Sequence, residues 1–317
     1  MNRCDYYSIL KDKYEDIEVF SAINHTFYRT EEIFSSHDSI MISVSGGSDS
    51  DCIVHLVCTY FPEVLDKIHF DFVNTGLEYQ ATKNHLAELE QKYNISISRV
   101  RGQSVVSVCK EYGFPILSKF KSHFLSLYIR GFPSGEKTIF EKHVFHSMDF
   151  TPNQKKLAVY LKENNYKISD LCCAKSKKAP LHKFQKEIAA DLTVTGERKA
   201  EGGQRSFIHT SCFEQQKDID KFMPLFWWED DVKAEFKRVE KIRYSDCYEK
   251  YGMRRTGCCG CPFNLNIQDD LQAMFEHEPQ LFKACMSVFG ESYRLMDEFQ
   301  CRKRKCLPEF FQYSFGL

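Results

Sequence analysis

Apolar positions recur at helical spacing through the first 37 residues, at Tyr7, Leu10, Tyr14, Ile17, Phe20, Ile23 and Phe27. The pattern then changes. Ile40-Met41-Ile42-Ser43-Val44 is a short apolar run, as expected of a buried strand, and the pair Gly46-Gly47 breaks it. From Asp51 to Tyr60 a helical face returns in Cys52, Ile53, Leu56, Val57 and Tyr60, and Pro62 closes it. A second strand, Ile68–Val73, runs into Asn74-Thr75-Gly76. The spacing predicts a helix from about Glu78 to Tyr93, and Ile95–Val100 alternates as a third strand. Strand–helix–strand–helix–strand predicts parallel βαβ units in a doubly wound α/β sheet. Ligands of such sheets sit at the carboxyl ends of strands, where Ser45–Ser50 and Asn74–Gly76 both fall.

Further along, the pattern is less regular. Pro115, Pro133 and Pro152 punctuate short helical stretches between 101 and 170, and Leu192–Thr195 is a further strand leading into Gly196-Glu197-Arg198. Beyond Pro224 the periodicity is helical, with a cysteine-rich turn at 257–263. The expected organisation is a helical extension over 1–37, a nucleotide-binding α/β domain over 38–215 and a mainly helical region over 216–317.

Composition narrows the class. Of 317 residues, 43% are apolar and 27% charged, which suits a folded globular chain. Lys plus Arg (43) nearly balances Asp plus Glu (44), so there is no global pull toward nucleic acid or acidic membrane. No apolar run is long enough for a spanning helix. The first twenty residues lack the apolar stretch of a secretory signal, so the expected location is cytoplasmic, with no membrane partner. In a reducing compartment the fourteen cysteines would not form disulfides. Eight fall in sets: Cys172-Cys173, Cys212, Cys258-Cys259-Gly260-Cys261, and Cys301 with Cys306.

Three constellations carry chemistry. In Ser45-Gly46-Gly47-Ser48-Asp49-Ser50, two glycines let the backbone turn sharply and approach a phosphate, and the helix start that follows offers unpaired N–H groups. Ser45, Ser48 and Ser50 add hydroxyls, and Asp49 is placed to hold a Mg²⁺ bridging phosphate oxygens. Taken alone, the hexapeptide would also suit an ordinary Gly-Gly turn with Ser48 as helix cap; the strand before and the helix after favour the phosphate reading. It is not a Walker loop, because no Gly-Lys-Ser/Thr follows. In the cysteine sets, a C-x-x-C turn can present two thiolates to one centre. Adjacent cysteines are awkward for a tetrahedral zinc, which favours a [4Fe-4S] cluster, with Cys212 a rival for one place. Arg198 and Arg205, near a Gly turn, suit bidentate phosphate binding but would equally serve as solvated surface. The basic run Cys301–Cys306 reads as one solvated face of a C-terminal helix rather than as a nucleic-acid patch.

In order, SGGSDS (45–50), FVNTGLEY (72–79), GFPILSK (113–119), LCCAKSKKAPL (171–181), TGERKAEGGQR (195–205) and RTGCCGCPF (255–263) resemble the phosphoadenosine-phosphosulfate reductase family of PP-loop proteins. The branch it looks most like is that of phages and mobile elements, itself similar to the DNA-phosphorothioation sulfurtransferases. The resemblance covers roughly 40–265 and implies an adenine-nucleotide α-hydrolase-like fold. It implies nucleotide binding by Ser45, Gly46, Gly47, Ser48, Asp49, Ser50, Asn74, Thr75, Gly76, Lys177, Gly196, Arg198 and Arg205. The cluster ligands it implies are Cys172, Cys173, Cys258 and Cys261; Asp49, Lys119 and Arg198 would be catalytic.

Two departures shape the expected activity. No Glu-Cys-Gly-type motif supplies the attacking thiol of the sulfonucleotide reductases, and the loop is intact where those reductases usually carry a degenerate one. The expectation is therefore an enzyme that uses ATP and Mg²⁺ to adenylate an acceptor, releases pyrophosphate and transfers sulfur through the cluster. The acceptor would be a nucleic acid or a small molecule, and a cysteine desulfurase would be a fitting sulfur donor. The alternatives are an adenylyl-sulfate or phosphoadenylyl-sulfate reductase, with Cys301 or Cys306 as nucleophile, and a non-catalytic nucleotide- and cluster-binding regulator.

Overall fold

The computed structural model describes residues 3–130, 144, 149–202 and 208–309. In chain order the elements are α1 (Arg3–Lys13), α2 (Ile17–Ser35), β1 (Ile40–Ser43), α3 (Ser48–Tyr60), β2 (Ile68–Asn74), α4 (Gln80–Tyr93), β3 (Ile97–Arg101), α5 (Val105–Tyr112), α6 (Lys119–Arg130) and α7 (Pro152–Glu163). A π-helical turn at Ala174–Lys178 leads into α8 (Ala179–Glu187). Then come β4 (Leu192–Val194), β5 (Phe213–Glu214), β6 (Asp220–Phe222), α9 (Asp230–Val239), α10 (Asp246–Glu249), α11 (Ile267–His277) and α12 (Pro279–Glu298). None of the described helices is long and apolar enough to cross a membrane.

The chain divides into two compact units interleaved in sequence. The first holds residues 1–73, 81–100 and 182–250; the second holds 74–80, 101–181 and 251–317.

The first unit is built on a six-stranded sheet in the order β3-β2-β1-β4-β6-β5. β1 pairs in parallel with β2 on one side and β4 on the other, β4 pairs in parallel with β6, and β5 is antiparallel to β6. The α/β class expected from the strand–helix alternation is the class observed. The central strand β1 is buried on both faces, which explains why its sequence is continuously apolar rather than alternating. Successive strands are added to one side of β1 as β2 and β3 and to the other as β4 and β6, so the crevice at its carboxyl end is the switch point of the sheet.

Two expected boundaries differ from those observed. The 1–37 segment is no appendage: Tyr6, Leu10, Tyr14, Phe20, Ile23 and Phe27 lie in the same core as the sheet. α2 begins where Asp16 caps it, accepting from the N–H groups of Glu18 and Val19. A boundary at 215 would cut between β5 and β6, and β6 is the parallel neighbour of β4. β5 and β6, two and three residues long, lack the apolar and β-branched run Leu192–Thr195 that marks β4.

The second unit is mainly helical. Its chain segments are joined by a parallel bridge between Phe114 and Ile168, and by hydrogen bonds from Phe114 N–H to the Lys167 carbonyl and from Ser169 N–H to the Phe114 carbonyl. Ser292 on α12 donates to the Pro115 carbonyl at 2.7 Å.

Candidate functional site

The phosphate-loop residues lie at the carboxyl end of β1. Gly46 has φ +66°, and a Cβ there would stand 2.7 Å from Thr82 Cγ2 on α4, so both backbone and packing demand glycine. Below the loop, Asp51 and His85 form a buried pair at 2.7 Å that ties α3 to α4. Gly47 caps α3 and has no side chain to satisfy the first N–H groups of the helix. The Ser50 hydroxyl instead folds back to the Gly47 carbonyl at 2.8 Å, while Gly47 N–H reaches Ser45 Oγ and Ser50 Oγ, each at 3.2 Å. The start of α3 is therefore shaped as an anion site, with donors left over.

The loop after β4 packs against it. Gly196 lies so close to Asp49 and Ser50 that a Cβ there would meet Asp49 Cβ at 3.1 Å and Ser50 N at 3.2 Å. Arg198, only 5% exposed, donates from Nε to Asp49 Oδ1 (2.7 Å), from Nη1 to the Trp228 carbonyl (3.1 Å) and from Nη2 to Asp230 Oδ1 (2.8 Å). A second cation shares the same carboxylate oxygen. Lys233, on the first turns of α9, places Nζ 3.1 Å from Asp49 Oδ1 and 3.0 Å from Ser48 Oγ. Lys233 was not expected from the sequence, because a lysine in a charged helix of otherwise ordinary pattern gives no local sign of reaching a loop 185 positions away.

Arg198 and Lys233 both sit on Asp49 Oδ1, so two positive groups offset the charge of the carboxylate that the sequence offers as a Mg²⁺ ligand. Arg205 lies outside the described residues.

The remaining expected residues belong to the second unit. Asn74, Thr75 and Gly76 form a turn satisfied from within: Gly76 N–H donates to Asn74 Oδ1 (3.0 Å), and Thr75 N–H and Oγ1 donate to Glu78 Oε1 (3.0 and 2.6 Å). Cys172 and Cys173 begin a helical turn that passes directly into the π-helical segment. Cys258 and Cys261 are joined by a tight turn, Cys261 N–H to the Cys258 carbonyl at 3.2 Å. Between them Gly260, at φ +65°, leaves no room for a Cβ, which would meet Cys285 Sγ at 2.8 Å and Tyr293 Oη at 2.9 Å. Tyr293 donates to the Gly260 carbonyl and Arg302 donates to the Pro262, Leu117 and Asn264 carbonyls, fixing the turn in place.

The hydrogen bond with Cys173, together with burial, raises the Cys172 thiol, and burial raises Cys258 and Cys261, with the charge of Cys173 adding to it. The Cys172 thiol, donating to Cys173, together with Lys119, Lys177 and Lys178, holds Cys173 down at about 6 despite burial. Burial raises Cys258, against the opposing pull of the Lys177 ammonium that hydrogen-bonds it. Cysteine thiols with lysine ammonium groups to offset their charge have the chemistry of an iron–sulfur donor set. Among the described residues no three His, Cys, Asp or Glu side chains are gathered closely enough for a single ion.

Other cysteines are placed differently. Cys212 is a buried member of the first unit's core, beside β6, whereas the four thiols above are in the second unit. Cys301 and Cys306 are buried, 7% and 0% exposed, and burial pushes both thiols up to about 12. Neither is presented as a nucleophile. The run they bracket is not a helical face: α12 ends at Glu298, and Arg302 turns inward to the cysteine turn while Arg304 pairs with Asp269.

The chain is similar to known proteins over much of its length. The family model described as "Phosphoadenosine phosphosulfate reductase domain" matches residues 39–116 and 137–264. The chain belongs to that family. An uncharacterized protein of Methanocaldococcus jannaschii is 28% identical over 230 residues, covering 70% of this chain and 36% of the relative. An adenosine 5'-phosphosulfate reductase of Neisseria meningitidis serogroup A is 31% identical over 104 residues, 32% of this chain and 41% of the relative. The chain thus spans well under two thirds of the length of these relatives. A solved phosphoadenylyl-sulfate (PAPS) reductase from Candida auris superposes with a TM-score of 0.45 at 14% identity, covering 74% of this chain and 87% of that one.

Proposed function

We propose that this family member is an ATP-using sulfur transferase. An oxygen of the acceptor attacks the α-phosphorus of ATP, the α–β bridge breaks, and pyrophosphate leaves with the bridging electron pair. Sulfide then displaces AMP from the adenylated acceptor, so that one oxygen is exchanged for one sulfur. The observation that carries this reading is the start of α3, where Gly47 offers no capping side chain, with the loop intact across Ser45–Ser50 and Lys233 beside Ser48. Backbone N–H groups and a cation at that position would stabilise the charge developing on departing pyrophosphate. Cys172, Cys173, Cys258 and Cys261 would hold a [4Fe-4S] cluster, whose contribution when bound would be to carry sulfide to the activated centre. A cysteine desulfurase is a fitting source of that sulfide.

The charge of the second unit favours a nucleic acid as acceptor. That unit holds 22 Lys and Arg against 15 Asp and Glu, a balance of +7, while the first unit holds 21 against 29, a balance of −8. Lys110, Lys119, Lys156, Lys167, Lys178 and Arg254 are exposed on the positive unit, and Phe120, beside Lys119, is 50% exposed as a surface on which a base could stack. The burial of Cys301 and Cys306 weighs against sulfonucleotide reduction.

The test is anaerobic purification followed by assay of pyrophosphate release from ATP, with and without RNA or DNA. Iron and sulfide in the purified protein, and release that depends on nucleic acid, are expected. Zinc alone, or sulfite formed from adenylyl sulfate with a thiol reductant, would overturn the reading.

A further inference from the structure

We propose that Lys233 is the phosphate-binding cation of the α3 site, and that Asp49 is the residue that positions it rather than a metal ligand. The inference rests on the nucleotide reading above and assigns the work within that site.

Two cations flank the loop, and the structure distinguishes them. Arg198 has hydrogen bonds on all three of its nitrogens, to Asp49, the Trp228 carbonyl and Asp230, and is 5% exposed. Turning it toward a ligand would give up three hydrogen bonds at once, including the buried one to the Trp228 carbonyl, which would lose this donor. Arg198 is thereby fixed as a strut between the loop after β4 and the starts of α3 and α9. Lys233 is freer. Its ammonium has three donors, of which Ser48 Oγ and Asp49 Oδ1 use two. Its side chain is 18% exposed, and its stem is long enough to shift by an ångström or two without moving the backbone of α9.

The bond to Ser48 is informative. Ser48 is the first residue of α3, and its N–H is among those the helix leaves unpaired. An ammonium held on the Ser48 hydroxyl therefore stands at the mouth of the same anion site. Asp49 Oδ1, already committed to Arg198 at 2.7 Å, holds Lys233 there while no anion is bound. When a phosphate occupies the helix start, Lys233 keeps Ser48 and exchanges the shared carboxylate oxygen for a phosphate oxygen. Asp49 stays neutralised by Arg198. With its charge already offset by Arg198 and Lys233, Asp49 offers a divalent cation little net attraction.

The experiment is titration of the full-length protein with inorganic pyrophosphate and with ATP, each in EDTA and in excess Mg²⁺. Lys233→Met should weaken pyrophosphate about ten- to hundredfold, the loss of a charge-assisted hydrogen bond. Lys233→Arg should recover most of that loss, and both variants should melt within a degree or two of wild type. Asp49→Asn keeps an acceptor for Lys233 but removes the charge that draws it to the site, and should weaken pyrophosphate in EDTA by less than Lys233→Met does. Equal affinity in wild type and Lys233→Met would overturn the assignment. So would a Mg²⁺-dependent gain in affinity that Asp49→Asn abolishes. A wild-type protein that binds neither ligand would instead sink the nucleotide reading itself, and the role of Lys233 with it.

Discussion

Glu240, the residue that closes α9, gathers more partners than any motif suggests. It is 5% exposed and accepts from Lys13 (3.0 Å), Tyr14 (3.0 Å), His55 (3.1 Å) and Tyr60 (2.7 Å). Burial alone would raise its carboxyl, but these donors outweigh burial and hold it at about 2. A depressed carboxyl contributes stability that is fully present above its ordinary value near 4.5 and is lost as pH falls toward 2. Asp71 is the opposite case. Burial lifts it to about 7, only partly countered by the Ser43 hydroxyl at 3.0 Å, and its Oδ2 has no partner. It therefore costs stability progressively as pH rises from about 4 through 7. Glu240→Gln should lower unfolding free energy at neutral pH by about 1–3 kcal/mol and remove that part of the acid-side decline. Asp71→Asn should flatten the decline between pH 4 and 7. Denaturant melts across pH 2–8 check both.

At the scale of elements, the cysteine turn depends on neighbours from α12 and the segment after it. Gly260→Ala forces a Cβ onto Cys285 and Tyr293 and strains a φ of +65°. Bound iron after anaerobic reconstitution should fall severalfold, whereas the helical content of the chain should hold. Cys301→Ala and Cys306→Ala should leave iron content and pyrophosphate release unchanged, since both thiols are packing groups. Loss of turnover in either variant would return the reductase mechanism to consideration. The loop of α3 was legible beforehand because glycines, hydroxyls and a strand-to-helix switch are all local signals. Arg302 was not, because a cation within a basic run looks the same whether it meets water or three buried carbonyls.

For the molecule as a whole, a net charge of −1 conceals two opposed units, −8 and +7. If the positive unit binds nucleic acid, affinity should fall steeply as salt rises, with a slope that drops by about one for each exposed lysine removed at the contact. Filter binding of the full chain to single-stranded and duplex RNA and DNA, with Lys156→Ala and Lys178→Ala, measures this. A salt-independent or undetectable interaction would remove the nucleic-acid acceptor from the proposal.

The strand–helix alternation, the glycine-serine loop at the end of the first strand and the two cysteine pairs can all be read from the residues in order. Each is written in neighbouring residues, as periodicity or as turn chemistry. The fold was needed to show that β6 is the parallel neighbour of β4, that Asp49 Oδ1 pairs with both Arg198 and Lys233, and that Cys173 lies within reach of the charges of Lys119, Lys177 and Lys178. Those pairings join positions far apart in the chain. An ion pair or a hydrogen bond across such a distance leaves no periodic trace in the residues around it, so the fold has to be known before the partners can be.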